Sequence, residues 1–119
     1  MPYLVNGGGL GSDYVVNAIT IESGQTTSDI IDLRAQGLCG FQMPAAFTGT
    51  SITFEGSPNG DTYTSLYNTA NTEYSVTVAA SRFYVVNPGD FVGVRFLRFV
   101  SGSAEGAQRV ILSVARSLQ

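Results

Sequence analysis

Across residues 51–55 the chain alternates strictly, with Ile52 and Phe54 on one side and Ser51, Thr53 and Glu55 on the other. That period of two is the mark of a half-buried strand. Residues 74–78 repeat it, setting Tyr74, Val76 and Val78 against Ser75 and Thr77. Runs rich in β-branched and aromatic residues at 15–21, 27–33, 38–43, 62–67, 83–86, 94–100 and 109–115 predict further strands. Turn clusters separate them: Glu22-Ser23-Gly24, Gln36-Gly37, Asn59-Gly60 within 56–61, and Asn87-Pro88-Gly89-Asp90, whose Pro-Gly centre predicts a type II turn. Ala45-Ala46-Phe47 has room for one turn only. Short strands recurring about every 8–12 residues predict an all-β fold, an antiparallel β-sandwich, jelly-roll-like, of eight or nine strands.

Taking the better-alternating side of each run as the inward one predicts a core of Ile19, Ile21, Ile31, Leu33, Phe41, Ile52, Phe54, Tyr74, Val76, Val78, Val94, Phe96, Val110, Leu112 and Val114. Two runs are ambiguous. In 109–115, apolar content alone would allow a helix, but Val110, Leu112 and Val114 alternate with Arg109, Ile111 and Ser113, and β-branched residues dominate. In 94–100, Val94, Phe96 and Val100 share a side with Arg98, while Leu97 and Phe99 share the other with Arg95. A strand apolar on both sides is either central, with arginines that reach solvent or a carboxylate, or bulged near Phe96-Leu97. In a third reading one side meets a neighbouring subunit, which makes Arg95 and Arg98 candidate partner contacts.

The amino-terminal stretch differs. Asn6-Gly7-Gly8-Gly9-Leu10-Gly11-Ser12 reads as a hinge. The chain therefore divides into a flexible glycine-rich arm, 1–12, and a β-sandwich domain, 13–119. Tyr3, Leu4 and Val5 form an apolar plug at the far end of the arm, and they are further candidate partner contacts, on a neighbouring subunit or another surface. No basic-then-apolar leader opens the sequence, and no run approaches the length needed to span a bilayer. Synthesis in a cytoplasm and no membrane partner are the expectations.

Composition removes several kinds of chemistry. Of 119 residues, none is His, Lys or Trp, and one is Cys. Without His the commonest general base and zinc ligand are missing; without Lys there is no Walker lysine or Schiff base. Six arginines against nine carboxylates give a net charge of −3 with no basic stripe, so no nucleic-acid partner is expected. The Gly7–Gly11 cluster lacks the preceding strand and following helix of a phosphate loop. Ser57, Asn59 and Asp61 faintly echo a calcium loop, but position 68 is Asn where a bidentate glutamate belongs. Cys39, between Leu38 and Gly40, reads as a small hydrophobe. Asp29 and Asp32 straddle Ile30-Ile31 and form no evident acid–base pair. No enzyme, no metal and no cofactor is expected.

The run Gly40-Phe41-Gln42-Met43-Pro44-Ala45-Ala46-Phe47-Thr48-Gly49-Thr50-Ser51-Ile52-Thr53-Phe54 resembles a pattern in small virion proteins of tailed bacteriophages. So do Ser57-Pro58-Asn59-Gly60-Asp61-Thr62-Tyr63 with Leu66-Tyr67, Glu73-Tyr74-Ser75-Val76, and Gly93-Val94-Arg95-Phe96-Leu97-Arg98. The resemblance spans about residues 19–116 and rests on turn glycines and alternating core positions. It implies a capsid decoration, or cement, protein on the outer surface of a virion, with the major capsid protein and copies of itself as partners. A homotrimer suits the threefold positions of a shell. The alternative is a fibre or neck component whose β-sandwich binds carbohydrate or a receptor, with Tyr3, Tyr14, Tyr63, Tyr67, Tyr74 and Tyr84 as stacking rings.

Overall fold

A computed structural model describes residues 14–117, so the arm and its plug Tyr3–Val5 lie outside the described residues. Nine strands follow in order: β1 (Tyr14–Ile21), β2 (Ile31–Asp32), β3 (Gln36–Gln42), β4 (Ser51–Ser57), β5 (Thr64–Ser65), β6 (Ser75–Thr77), β7 (Phe83–Val85), β8 (Phe96–Ser101) and β9 (Arg109–Ser117). They form two antiparallel sheets. The first has the order β1-β9-β3-β7; the second has β2-β8-β4-β5, with β6 also paired to β4. The pairing is nested: first strand with last, second with eighth, third with seventh, fourth with fifth and sixth. A long antiparallel ribbon folded over and rolled gives this order, which is the jelly roll predicted from the strand spacing.

Two predicted strands are shorter than their apolar runs. In 27–33 the chain changes sheet: Ser28 bridges to Ile21 of the first sheet, while its backbone N–H donates to Phe99 O of the second. Thr27 meets Val100 of β8 in an isolated bridge, Ile30 swings out to solvent, and regular pairing with β8 is confined to Ile31–Asp32. In 62–67 only Thr64–Ser65 stays on β4, because Tyr67 turns away to bridge Glu73. The Pro88–Phe91 segment is a 3-10 turn in place of the predicted type II turn. Gly89 lacks the positive φ that a type II turn requires. The Asn87 side chain accepts from Gly89 N–H instead, and Pro88 supplies the fixed φ of a first helical position.

The loop after β4 is built around polar side chains. Ser57 Oγ accepts from the Asn59 and Gly60 N–H groups, and Asn59 Oδ1 accepts from those of Asp61 and Thr62. Two of the three side-chain oxygens that resembled a cation loop, those of Ser57 and Asn59, are thus turned to their own backbone. Gly60 stands at φ +82°, and a Cβ there would lie 3.4 Å from the Phe96 ring. Gly60→Val should cost about 1–2 kcal/mol, because a β-branched residue is strained at positive φ. An unchanged urea midpoint would refute this.

The core is aromatic at its centre. Phe54 of β4 meets Phe99 of β8, Phe91, Tyr74 and Phe41 of β3 at ring-centroid distances of 4.9, 5.4, 5.6 and 6.2 Å, all edge to face. Phe41 comes from the first sheet and Phe54 and Phe99 from the second, so the rings interlock across the sandwich. Ile19, Ile21, Ile31, Leu33, Phe41, Ile52, Phe54 and Val78 are buried as predicted, and Tyr74, Val76 and Val94 pack half-buried against them. Leu38, Met43, Phe47, Val86 and Phe91 complete the buried set from outside the predicted core.

Two strands are turned the other way. In β8 it is Leu97 and Phe99 that are buried, and Phe96 lies on the outer side. In β9 it is Ile111, Ser113 and Ala115, while Val110 and Leu112 are exposed and Val114 is half-exposed. Register explains both. β9 lies between β1 and β3, opposite Ile19 and Phe41, and those partners carry Ile111 and Ser113 inward with them. Ser113 is tolerated there because its hydroxyl donates to Asn17 O at 3.0 Å. No bulge interrupts β8, whose register with β4 is continuous from Ile52–Ser101 to Ser57–Phe96.

Candidate functional site

The two outer faces of the sandwich differ in kind. On the second sheet, Asp32, Phe96, Arg98, Glu55, Thr53 and Val100 point outward. Arg95 holds Asp32 through two hydrogen bonds, Nε–Oδ1 at 2.6 Å and Nη2–Oδ2 at 3.1 Å. This contact holds the Asp32 carboxyl below its ordinary value. Arg98 donates to Glu55 at 2.6 Å and lies over the Tyr63 ring at 4.7 Å. Both candidate arginines are therefore on or beside β8 and paired with carboxylates of the same molecule. This face is ionic and suited to water.

The outer face of the first sheet is apolar. Residues directly opposite each other in antiparallel strands share a face, so the register sets Val16 beside Val114, and Ala18 beside Leu112, Gln42 and Phe83. Thr20 pairs with Val110, and Gly40 with Val85. Val85 is 82% exposed, Val16 61%, Phe83 54%, and Val110 and Leu112 about 40%. Among the described residues its charges are marginal: Arg116 sits at the end of the sheet over the Tyr14 ring, 5.7 Å away, and Asp29 lies at the β1 edge.

Local structure flattens this face. β3 carries a bulge between Leu38 and Gly40, and Cys39 sits there half-buried, its thiol donating to Val114 O at 3.4 Å. Burial pushes that thiol's pKa up, away from the thiolate a nucleophile needs. Gly40 leaves space into which Phe83 folds: a Cβ there would lie 2.7 Å from the Phe83 ring. The ring therefore lies against the sheet. β1 adds an edge with no charged residue, YVVNAITI, partly covered where Thr20 N–H meets Asp29 Oδ2.

A second feature invisible to the sequence reading is Glu105, in the loop between β8 and β9. Its side chain is fully buried and accepts from Thr48 N–H at 2.9 Å, Thr48 Oγ1 at 2.9 Å and Arg109 Nε at 3.0 Å. Three donors around one carboxylate tie two loops together at one end of the sandwich. The arrangement is structural, since every partner is intramolecular.

One concavity is a cleft of about 440 Å³ lined by Leu66, Tyr67, Asn68, Thr69, Tyr74, Asp90 and Val94. Tyr74 donates to Asp90 at 3.1 Å, and burial together with that carboxylate pushes its pKa up to about 12. Asn68 Oδ1 is taken by the Ala70 and Thr72 N–H groups of its own loop. Of the tyrosines considered as stacking rings, Tyr67 is freely exposed at this cleft, whereas Tyr84 packs on Phe41 and accepts from Ala79 N–H.

Fold and site together define a jelly-roll β-sandwich with one ionic and one apolar outer face. No family model matches the chain, and no curated protein is significantly similar to it.

Proposed function

We propose that this chain is a structural virion protein that decorates and stabilises a phage capsid by binding the assembled shell. The observation that carries the reading is the apolar outer face of the first sheet. A contiguous apolar patch of a few hundred Å² is often a functional surface, and it suits a protein that spends its life packed in an assembly. The resemblance of residues 19–116 to small virion proteins supports the same reading. Its partners are the major capsid protein and copies of itself, with a homotrimer the number that threefold shell positions favour. Tyr3, Leu4 and Val5 of the arm are the proposed contacts to a neighbouring subunit or the shell, and Arg95 and Arg98 the proposed contacts to a neighbouring subunit. A ligand that binds the assembled lattice and not its separated subunits stabilises the lattice by mass action, and several linked contacts raise one another's effective concentration.

Co-sedimentation tests this. The purified chain is mixed with shells assembled from the major capsid protein encoded in the same genome, and separately with the unassembled subunit. Saturable binding to shells alone, with a raised shell melting temperature, is the expected result. Equal binding to free subunits, or none to shells, overturns the reading.

The cleft beside Tyr67 and Asp90 favours the second reading, a carbohydrate- or receptor-binding module of a fibre or neck. It pairs an exposed ring with a carboxylate, the two elements a sugar needs. Specific glycan binding that Tyr67→Ala abolishes, without shell binding, would put this reading first.

A further inference from the structure

The apolar face has a self-complementary form that names its occupant. We infer that the outer face of β1-β9-β3-β7 packs against the same face of a second copy about a twofold axis near Leu112. The inference rests on the reading of this face as an assembly surface, and it makes the first self-contact a pair and not a ring of three.

Size is the first argument. Four strands of eight, nine, seven and three residues, about 4.8 Å apart and about 3.3 Å per residue, outline roughly 400 Å². Corrugated side chains expose more than their outline, so two such faces together remove on the order of 1,000 Å² from water, the lower bound for a specific interface. A contact at that lower bound suits a reversible pair, since obligate dimers bury more.

Charge is the second. The charges near this face are at its margins, Asp29 at the β1 edge on Thr20 N–H and Arg116 at the sheet's end, so packing the face on itself buries no ion at the centre. The ion-paired face of the second sheet makes a poor cover for it, since docking there would strip water from Asp32, Glu55, Arg95 and Arg98.

Shape is the third. The face is a twisted sheet with Phe83 folded over Gly40. Two sheets of the same hand pack face to face at about −30°. A patch meeting itself closes as a twofold pair. Leu112 lies mid-strand on β9, an inner strand of the sheet, so a central axis passes close to it.

The experiment uses the full chain and two variants, Leu112→Glu and Leu112→Lys, at an exposed position where neither charge disturbs the core. Sedimentation equilibrium up to about 100 μM should give a dimer for the parent chain, as expected of an interface this small. Each variant alone should be monomeric, because like charges then meet across the axis. An equimolar mixture of the two should recover the dimer. Three results overturn the inference: a parent chain that stays monomeric or forms trimers, a dimer that survives in either variant, or a mixture that remains monomeric. Circular dichroism and melting of both variants establish that they fold. Shell binding is read separately. A dimer that ignores shells leaves this contact standing and removes the virion reading, while a monomer that binds shells does the reverse.

Discussion

Glu105→Ala should lower the stability of the domain by about 3–5 kcal/mol, the range for breaking a buried charge pair from one side. The substitution removes the acceptor for the Thr48 N–H and hydroxyl and leaves Arg109 without its carboxylate. The Arg109 side chain is only 15% exposed, so water compensates poorly. Asp32→Ala is the contrasting case. Its partner Arg95 is half exposed, and loss of that surface pair should cost far less than loss of Glu105. Urea unfolding of both variants measures the difference, and equal losses would mean that Glu105 is not a clamp.

Glu105 also sets an acid limit. Burial by itself raises a carboxyl's pKa, but hydrogen bonds from the Thr48 backbone, Arg109 and the Thr48 hydroxyl outweigh it and hold the group below its ordinary value of 4.5. A carboxyl with a lower pKa folded than unfolded stabilises fully above the unfolded value and loses that contribution as pH falls through the folded one. The gap in stability between the parent chain and Glu105→Ala should therefore be constant near neutral pH and narrow below pH 4.5. A gap that does not change down to about pH 2 would count against the ionised clamp.

Phe54→Ala is expected to be comparably severe, losing about 3–5 kcal/mol through transfer and cavity terms. Phe54 contacts rings from both sheets, so its removal opens a void where the layers interlock. For a domain whose total stability is about 5–15 kcal/mol, such a loss can leave much of the population unfolded at 37 °C. Phe99→Ala should behave alike, since Phe99 is fully buried, whereas Phe96→Ala should cost far less because Phe96 lies on the outer side of the same strand. Thermal melts of the three variants read the direction of β8. A Phe96→Ala loss as large as that of Phe99→Ala would reverse the assigned inner side.

The sequence by itself determined where the strands run, because alternation, β-branched content and turn residues are local properties. It placed all nine strands and the jelly-roll class, and it identified Phe41, Ile52 and Phe54 as core. It did not determine which side of β8 and β9 faces inward. Both sides of these strands are apolar, and parity in such a strand is set by its neighbours' register, through pairs such as Ile19–Ile111 and Phe54–Phe99. That choice also created the candidate site. Once Ile111, Ser113 and Ala115 turn inward, Val110 and Leu112 must turn outward beside Val16 and Phe83. Burial of Glu105 was likewise a tertiary outcome, since Thr48 lies 57 residues away in sequence and reaches it only when the ribbon rolls up. Long-range pairing decided which apolar residues became core and which stayed on the surface.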